Sequence, residues 1–239
     1  MRRHSRALSA EGRHLLAWMI LLGTTAFDAR AAGPDVDLAA LLDHAVAINS
    51  RQHDRIGTGI YLGRGLVLTA SHVVGRAVFG GPNVSIAGKE LPSRVVKQEP
   101  FEQSDLTLLA IDGQELPSAL RAIRISLCRT PARPGERVMT VVPDAAVETE
   151  IMSPIWLPRD ARKYATVIRD VASTGNSGAG VFDAQRRCLL GIISRKISQS
   201  FVRGKASSEE RFEFDVAKYF VSAATIAEFL PTGVTDAEP

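Results

Sequence analysis

The sequence predicts an all-β protein, and three observations carry that prediction. Short runs of apolar and β-branched residues recur at short, regular spacing, as is typical of the strands of a barrel. Turn residues separate these runs, and repeated 10–15-residue helical patterns do not alternate with them, which argues against a parallel βαβ sheet. Residues 112–135 hold three prolines and two glycines and divide the strands into two groups.

Five or six strands are expected before this linker and about six after it. The predicted strands before it cover residues 58–62, 66–69, 84–87, 93–97 and 106–111. Those after it cover residues 137–142, 147–152, 164–169, 180–182, 188–194 and 211–216. Residues 37–47 fit either a short helix or a lead-in strand. Residues 222–230, with spaced apolar positions and Pro231 as a stop, predict a helix.

The N-terminal residues predict an export signal. An apolar run at residues 15–27 follows Arg2, Arg3, Arg6 and Arg13, and a small-x-small triplet stands at residues 29–31. The run is shorter than the ~20 residues that a membrane-spanning helix needs. We therefore expect residues 1–31 to be removed, leaving no stable membrane anchor and a protein in the periplasm or the extracellular medium. The alternatives are an uncleaved anchor and a buried first helix.

Removing that segment changes the charge of the chain. The full chain has 29 Lys and Arg against 26 Asp and Glu, and residues 1–31 carry five arginines and two acids, so 24 of each remain. The basic character therefore belongs to the export segment, and no nucleic-acid partner is expected.

Export also bears on the two cysteines, Cys128 and Cys188. In an oxidising compartment a pair is expected to form a disulfide, which would stabilise the fold by ~4 kcal/mol on the chain-entropy account. The alternative is two unrelated buried thiols. The His and Cys spacing predicts no metal site, and no cofactor is expected.

A glycine-rich segment at residues 174–180 contains Ser177. A serine hydroxyl is a weak nucleophile that needs an exposed position and nearby N–H groups to receive an oxyanion, and glycines allow both. The alternative is an ordinary surface turn.

Two further polar residues stand beside apolar strands. His72 follows the run 66–69 and would present an imidazole suited to proton transfer near neutral pH, although a core histidine is the alternative. Asp105 directly precedes the run 106–111, where burial would be costly unless the carboxylate is hydrogen-bonded, for example to a histidine. The alternative is a solvated acid at a strand start.

The order of these three residues excludes one class of hydrolase. Histidine, aspartate and then serine is the chymotrypsin order, whereas α/β-hydrolases run serine, acid, histidine. No histidine follows His72, so Ser177 cannot belong to the second order. A subtilisin order could use Asp43 or Asp54, but the β-rich pattern argues against that fold.

Residues 69–74, 104–109 and 175–178 resemble the three signatures of chymotrypsin-like serine peptidases. The Asn176 form is similar to bacterial members, including the protease domain of the high-temperature-requirement family. The resemblance covers about residues 44–230 and implies two packed six-stranded antiparallel β-barrels with the active site in the cleft between them. The expected limits are residues 44–111 for the first barrel, 112–135 for the linker, 136–220 for the second barrel and 222–230 for the helix. All lie within a protease domain of residues 32–239, without the PDZ domains of those relatives.

The resemblance also implies roles for individual residues. Ser177 would be the nucleophile, His72 the general base and Asp105 the orienting acid, with the Gly175 and Ser177 N–H groups as the oxyanion hole. Ala179 replaces a frequent glycine, which we expect to be tolerated unless that position needs a positive φ.

The substrate pocket is implied in the same way. Its base would be Val171, with Ser194 near the substrate backbone and Lys196 narrowing or charging the pocket. A small or medium apolar side chain is expected in preference to Lys or Arg.

The sequence thus predicts an exported serine endopeptidase that acts on polypeptides through an acyl-enzyme. A catalytically silent protease-fold binding protein and an esterase with the same triad are the alternatives. The oligomeric state is left open.

Overall fold

The chain folds almost entirely into strands. The computed structural model describes residues 38–50, 55–76, 81–169, 176–203 and 210–235. In these ranges twelve strands form, six before and six after residue 112, and each group closes into an antiparallel barrel. The predicted all-β fold with two six-stranded barrels, the chymotrypsin-like arrangement, is therefore confirmed.

The first barrel consists of Ala45–Ser50 (β1), Arg55–Gly63 (β2), Leu66–Ala70 (β3), Asn83–Ile86 (β4), Lys89–Gln98 (β5) and Leu106–Ile111 (β6). Its strands are hydrogen-bonded in the order β1-β2-β3-β6-β5-β4, and β4 closes the barrel on β1. In the β3–β6 pair, Ala70 lies opposite Leu106. The residues just after β3 and just before β6 therefore meet at one edge of this barrel.

The second barrel consists of Arg137–Val142 (β7), Ala145–Met152 (β8), Val167–Arg169 (β9), Gly180–Asp183 (β10), Leu189–Arg203 (β11) and Glu210–Ser222 (β12). The strand order is β10-β11-β12-β9-β8-β7, with β7 returning to β10. Residues 198–203 of β11 pair with residues 210–215 of β12, beyond the point where β9 pairs with β12. The two longest strands thus extend past the barrel as a hairpin.

In the part of the chain that the structure describes, four short α-helices accompany the barrels: Leu38–Leu42 (α1), Ser71–Val74 (α2), Ser118–Ala122 (α3) and Ala223–Phe229 (α4). The Ser222 side chain caps α4 by accepting a hydrogen bond from the Thr225 N–H (3.2 Å). The C-terminal helix predicted for residues 222–230 is therefore present. Of the helices that the structure describes, none has the length and apolar character needed to cross a membrane.

One core cluster joins the two barrels. It combines buried side chains of both barrels with side chains of α4, including Ile60, Leu68, Leu108, Phe182, Ile192, Val221, Ile226 and Phe229. Each such burial contributes ~1.5–3 kcal/mol relative to exposure. The apolar spacing that predicted α4 is therefore explained, since this face of the helix covers the contact between the barrels.

Several predicted elements differ from the observed ones. The ambiguous residues 37–47 contain the whole of α1 and the start of β1, which pairs with both β2 and β4. The linker 112–135 holds a 3₁₀ turn at Gly113–Glu115 and the helix α3. The expected strand 164–169 is confined to Val167–Arg169, because the Tyr164 N–H bonds instead to the Ala161 carbonyl in the preceding turn (3.0 Å).

Cys128 and Cys188 form a disulfide, as predicted, with their Cα atoms 5.0 Å apart. The bridge lies beside a backbone hydrogen bond from the Cys128 N–H to the Leu189 carbonyl (3.0 Å). It therefore ties the segment after α3 to the start of β11. The predicted export segment, residues 1–31, lies outside the described residues.

Candidate active site

Asp105 is fully buried at the entrance to β6, and its carboxylate accepts three hydrogen bonds. The His72 backbone N–H binds Oδ1 (3.0 Å), while His72 Nδ1 (2.8 Å) and the Ser194 hydroxyl (2.6 Å) bind Oδ2. A buried carboxylate is tolerated when it is satisfied in this way. Asp105 has a φ of 55°, a left-handed conformation that aspartate adopts more readily than most residues. The alternative of a solvated strand-start acid is therefore wrong.

His72 stands in α2, which begins directly after β3. Its side chain is 32% exposed, so the imidazole is open to solvent on the side away from Asp105. An ionised carboxylate can only accept hydrogen bonds, so Nδ1 carries the hydrogen and Nε2 of the neutral ring has a free lone pair. The ring of Phe101 packs against the imidazole edge to face, with centroids 5.8 Å apart. His72 is thus partly exposed and fixed by its bond to Asp105, and it is not a buried core histidine.

Ser177 lies half-buried on a tight turn that leads into β10. The Ala179 N–H donates to the Asn176 carbonyl (2.9 Å), which places Gly178 at the third position of a β-turn with a φ of 88°. That position favours glycine, and a Cβ on Gly178 would also overlap the Thr58 carbonyl oxygen. The glycine-rich sequence around Ser177 is therefore required by the turn and by its close approach to the first barrel.

The turn contacts the first barrel directly through β2 and indirectly through β11. The Thr58 N–H of β2 donates to the Ser177 carbonyl (2.9 Å). The Gly178 N–H donates to the Ile193 carbonyl of β11 (2.7 Å), and the next residue of that strand, Ser194, holds Asp105. The turn bearing Ser177 and the His72–Asp105 pair therefore lie at the same junction between the barrels.

The structure does not bring every predicted site residue together. Within the described ranges, the Ser177 hydroxyl makes no hydrogen bond to the His72 ring. Gly175 and Val171 lie outside those ranges, so the second oxyanion donor and the pocket base stay predictions. Ala179 is buried and does not have a positive φ, which agrees with the expectation that alanine is tolerated there.

Ser194 and Lys196, expected to line the substrate pocket, make contacts that the sequence did not indicate. Ser194 is buried and its hydroxyl is bound to Asp105. The Lys196 ammonium forms an ion pair with Asp215 (2.9 Å). The hydrogen bond from Lys196 lowers the pKa of the Asp215 carboxyl, although desolvation acts in the opposite direction. The charge of Lys196 is therefore offset by a carboxylate on the neighbouring strand.

His72 and Phe101 lie on the wall of an open cleft of about 690 Å³, which Arg76 and Gln98 also line. The cleft brings solvent to the exposed side of the imidazole. In the part of the chain that the structure describes, no three His, Cys, Asp or Glu side chains are grouped to hold a metal ion. The chemistry that this arrangement supports is proton transfer by a carboxylate-oriented histidine.

Solved structures with the same fold include several proteases. The Rv3671c protease of M. tuberculosis in its inactive form has 23% identity and a TM-score of 0.54, covering 83% of this chain and 96% of that one. The serine endoprotease from Yersinia pestis has 18% identity and a TM-score of 0.55, covering 82% and 66%. The HtrA-type protease AlgW, solved with a tripeptide, has 18% identity and a TM-score of 0.53, covering 79% and 61%.

No curated protein has a significantly similar sequence. The pattern of the trypsin-like peptidase domain family, in contrast, matches residues 57–192, more than half of the chain. This range includes His72, Asp105 and Ser177. Together with the two-barrel fold, the match shows that the chain belongs to the trypsin-like peptidase domain family and is a serine-type peptidase.

Proposed function

We propose that this protein is an exported serine endopeptidase with Ser177, His72 and Asp105 as its catalytic triad. The observation that carries the proposal is the hydrogen bond from the His72 ring to a fully buried carboxylate (2.8 Å). It supports His72 as general base, because the other ring nitrogen is then available to accept a proton. The turn bearing Ser177 is bound to the same edge of the first barrel, which supports Ser177 as nucleophile.

In the proposed acylation step, Ser177 Oγ attacks the carbonyl carbon of the scissile peptide bond and its proton moves to His72 Nε2. The C–N bond then breaks, and His72 passes the proton to the departing amine. The acyl group is left on Ser177 as an ester. The Ser177 and Gly175 N–H groups would stabilise the oxyanion, and losing one such donor typically costs ~3–4 kcal/mol.

Deacylation uses the same residues with water in place of the serine. Water gives a proton to His72 and attacks the ester carbon. The C–O bond to Ser177 breaks, and Oγ takes the proton back from His72. One water is consumed, and the enzyme returns to its starting state. Asp105 stays ionised and stabilises the imidazolium that forms in each half of the reaction.

Export is the part of the proposal that depends on the N-terminal sequence. The predicted signal at residues 1–31 and the Cys128–Cys188 disulfide support a periplasmic or extracellular location. For the substrate, we propose a pocket that prefers small or medium apolar side chains and has Val171 at its base. The ion pair between Lys196 and Asp215 supports it, since a paired ammonium adds little net charge to the pocket wall.

A fluorophosphonate probe tests the triad directly. The activated Ser177 Oγ would form an O–P bond, release fluoride and pass its proton to His72. We expect labelling of the wild-type protein, produced under oxidising conditions, and none of Ser177→Ala or His72→Ala at equal concentration. Folded wild-type protein that stays unlabelled would contradict the proposal. For labelled protein, a peptide library dominated by cleavage after Lys or Arg would contradict the pocket preference.

The second candidate is a catalytically silent protease-fold binding protein. The missing hydrogen bond between Ser177 and His72 in the described residues favours it, although such bonds are often long in the absence of substrate. The labelling experiment separates the two functions. An esterase with the same triad would label as well, and it would hydrolyse simple esters but leave peptides intact.

A further inference from the structure

Arg195 follows Ser194 on β11 at an irregularity in the strand. Ile193 pairs with Phe220 and Arg195 pairs with Tyr219, so one extra residue, Ser194, stands on β11 between consecutive positions of β12. Such a β-bulge re-aims side chains. Here both consecutive side chains reach the first barrel: Ser194 binds the carboxylate of Asp105, and Arg195 binds the loop that precedes it.

Arg195 is held on this loop by several contacts. Its guanidinium carbon lies 3.9 Å from the centroid of the Phe101 ring, and its Nη2 donates to the Phe101 carbonyl (3.1 Å). Its Nη1 donates to the Tyr164 hydroxyl (3.2 Å), and the Tyr219 ring centroid is 5.6 Å away. The half-buried guanidinium thus lies against aromatic rings, on whose faces its planar cation can stack.

Phe101 in turn contacts the proposed general base. Its ring meets the imidazole of His72 at 89°, with centroids 5.8 Å apart. Phe101 is itself 40% exposed and lies in a loop, so burial alone does not fix its ring. The contacts with Arg195 supply the missing restraint. A chain of two contacts therefore runs from the second barrel to the ring that must accept the proton of Ser177.

We propose that Arg195 is a positioning residue that holds Phe101 against His72 and so keeps the imidazole in the orientation that a general base for Ser177 requires. Arg195 acts through Phe101 and touches neither the reacting atoms nor the substrate in this role. The inference rests on the proposed function of His72 as general base. Two successive residues of one bulge would then hold the pair in place. Ser194 binds Asp105 directly, and Arg195 acts on His72 through Phe101.

The experiment measures the reaction with a fluorophosphonate as two constants, the maximal rate kinact and the half-saturating concentration KI. We expect Arg195→Ala to lower kinact by about 10- to 100-fold, the loss typical of a misplaced catalytic group, and to change KI by less than about 3-fold. Arg195→Lys keeps the positive charge but lacks the planar guanidinium group, so its kinact should lie between those of Arg195→Ala and the wild type. The matched control is Arg137→Ala, which removes an exposed ion pair with Glu148 elsewhere on the second barrel.

Substitutions at Phe101 complete the test. Phe101→Leu should lower kinact as Arg195→Ala does, and Phe101→Trp, which keeps an aromatic ring, should lower it less. The proposal is overturned if Arg195→Ala reacts like Arg137→Ala, or if its loss lies in KI, which would make Arg195 a substrate contact. The proposal is also overturned if the fall in kinact of Arg195→Ala is no larger than the fraction of unfolded protein, measured by circular dichroism, would cause. If Arg195→Ala does not fold, Arg195→Lys and Phe101→Leu decide by the same criteria.

A second readout does not depend on catalysis. The Phe101 ring shifts the proton resonance of the His72 imidazole C–H, which is assigned in an NMR spectrum by its loss in His72→Ala. We expect Arg195→Ala to move this resonance toward its position in Phe101→Leu, and Arg137→Ala to leave it in place. An unmoved resonance in Arg195→Ala overturns the inference. Wild-type protein that is not labelled would contradict the proposed function alone, and the resonance would still test the contact.

Discussion

His72 and Asp105 are 33 residues apart in the sequence and meet because β3 and β6 are neighbours in the first barrel. Ser177, in contrast, stands on a turn that is held mainly by hydrogen bonds to strands other than the one it leads into. The histidine–carboxylate pair is made by side-chain and backbone groups of the first barrel, with one added bond from Ser194. The turn of Ser177 depends on the Thr58 N–H, across the junction between the barrels. The proposed acid–base pair is therefore built within one barrel, and the turn of the proposed nucleophile is aligned by the packing of the two barrels.

This difference suggests where the site can fail. A change that disturbs only the His72–Asp105 pair should remove catalysis while the fold survives. A change at the junction should misplace Ser177 and weaken the packing of the barrels together, because one core cluster spans both. Labelling and unfolding measured on the same variant separate these two kinds of failure.

The largest effect is expected from Asp105→Asn. An amide cannot accept all three hydrogen bonds that the carboxylate accepts, and it favours the wrong tautomer of His72. We expect the fluorophosphonate labelling rate to fall roughly 10⁴-fold, the loss typical of the orienting acid of a triad. The rate is measured on folded protein, with the folded fraction checked by circular dichroism.

A matched control for this change stands in the second barrel. Asp183 is also buried, and its carboxylate accepts hydrogen bonds from the Gln185 N–H (2.8 Å) and from the backbone and side chain of Arg186 (2.6 and 3.0 Å). Asp183→Asn should lower stability and leave the labelling rate per folded molecule unchanged. Equal losses of labelling in the two variants would show that the first barrel has no special role.

The next prediction concerns the packing of the Ser177 turn against the first barrel. Gly178→Ala puts a Cβ into the Thr58 carbonyl at a φ of 88°, and we expect a cost of several kcal/mol in the free energy of unfolding together with loss of labelling. Gly135 has a φ of 86°, but the space that an added Cβ would occupy is open, so Gly135→Ala should cost only about 1–2 kcal/mol in the free energy of unfolding. Urea unfolding measures both. Equal costs would mean that backbone conformation, and not contact with the first barrel, decides the glycine at 178.

The parts of this arrangement that sequence could predict are the ones encoded locally. The strands Leu106–Ile111 and Arg137–Val142 have their predicted limits, because each is an apolar run bounded by turn or charged residues. The residue types around His72, Asp105 and Ser177 were recognisable for the same reason. Each lies in a short motif whose neighbours fix its local geometry.

Features that depend on distant partners were not predicted. The strand expected at residues 188–194 continues to Arg203, because its largely exposed second half is held by side-chain contacts with β12 such as Lys196–Asp215 and Phe201–Phe214. The contact of Arg195 with Phe101 joins residues 94 positions apart through a bulge, and no local pattern indicates it. The hydrogen bond from Ser194 to Asp105 is similar, at 89 positions. Such contacts follow from how the barrels dock, which the local motifs do not encode.

The smallest expected effect is a pH dependence of the packing between the barrels. His44 is buried at the start of the first barrel, donates from Nδ1 to the Tyr61 carbonyl (2.8 Å) and packs on Phe182 of the second barrel with ring centroids 6.2 Å apart. Burial lowers the pKa of His44 below its usual 6.5, although the Tyr61 carbonyl and Asp43 act in the opposite direction. The folded protein therefore keeps His44 neutral at pH values where the unfolded chain is already protonated.

A histidine whose pKa is lowered by folding contributes stability that is present above 6.5 and is lost as the pH falls from 6.5 through the folded pKa. We expect the free energy of unfolding, measured in urea, to decrease over this range, and His44→Asn, which keeps a donor near the Nδ1 position, to flatten that decrease. An unchanged slope in His44→Asn would locate the pH sensitivity elsewhere. If His44→Asn flattens the slope and is labelled normally at neutral pH, His44 carries the pH dependence. The packing around His44 can then change while the His72–Asp105 pair is undisturbed.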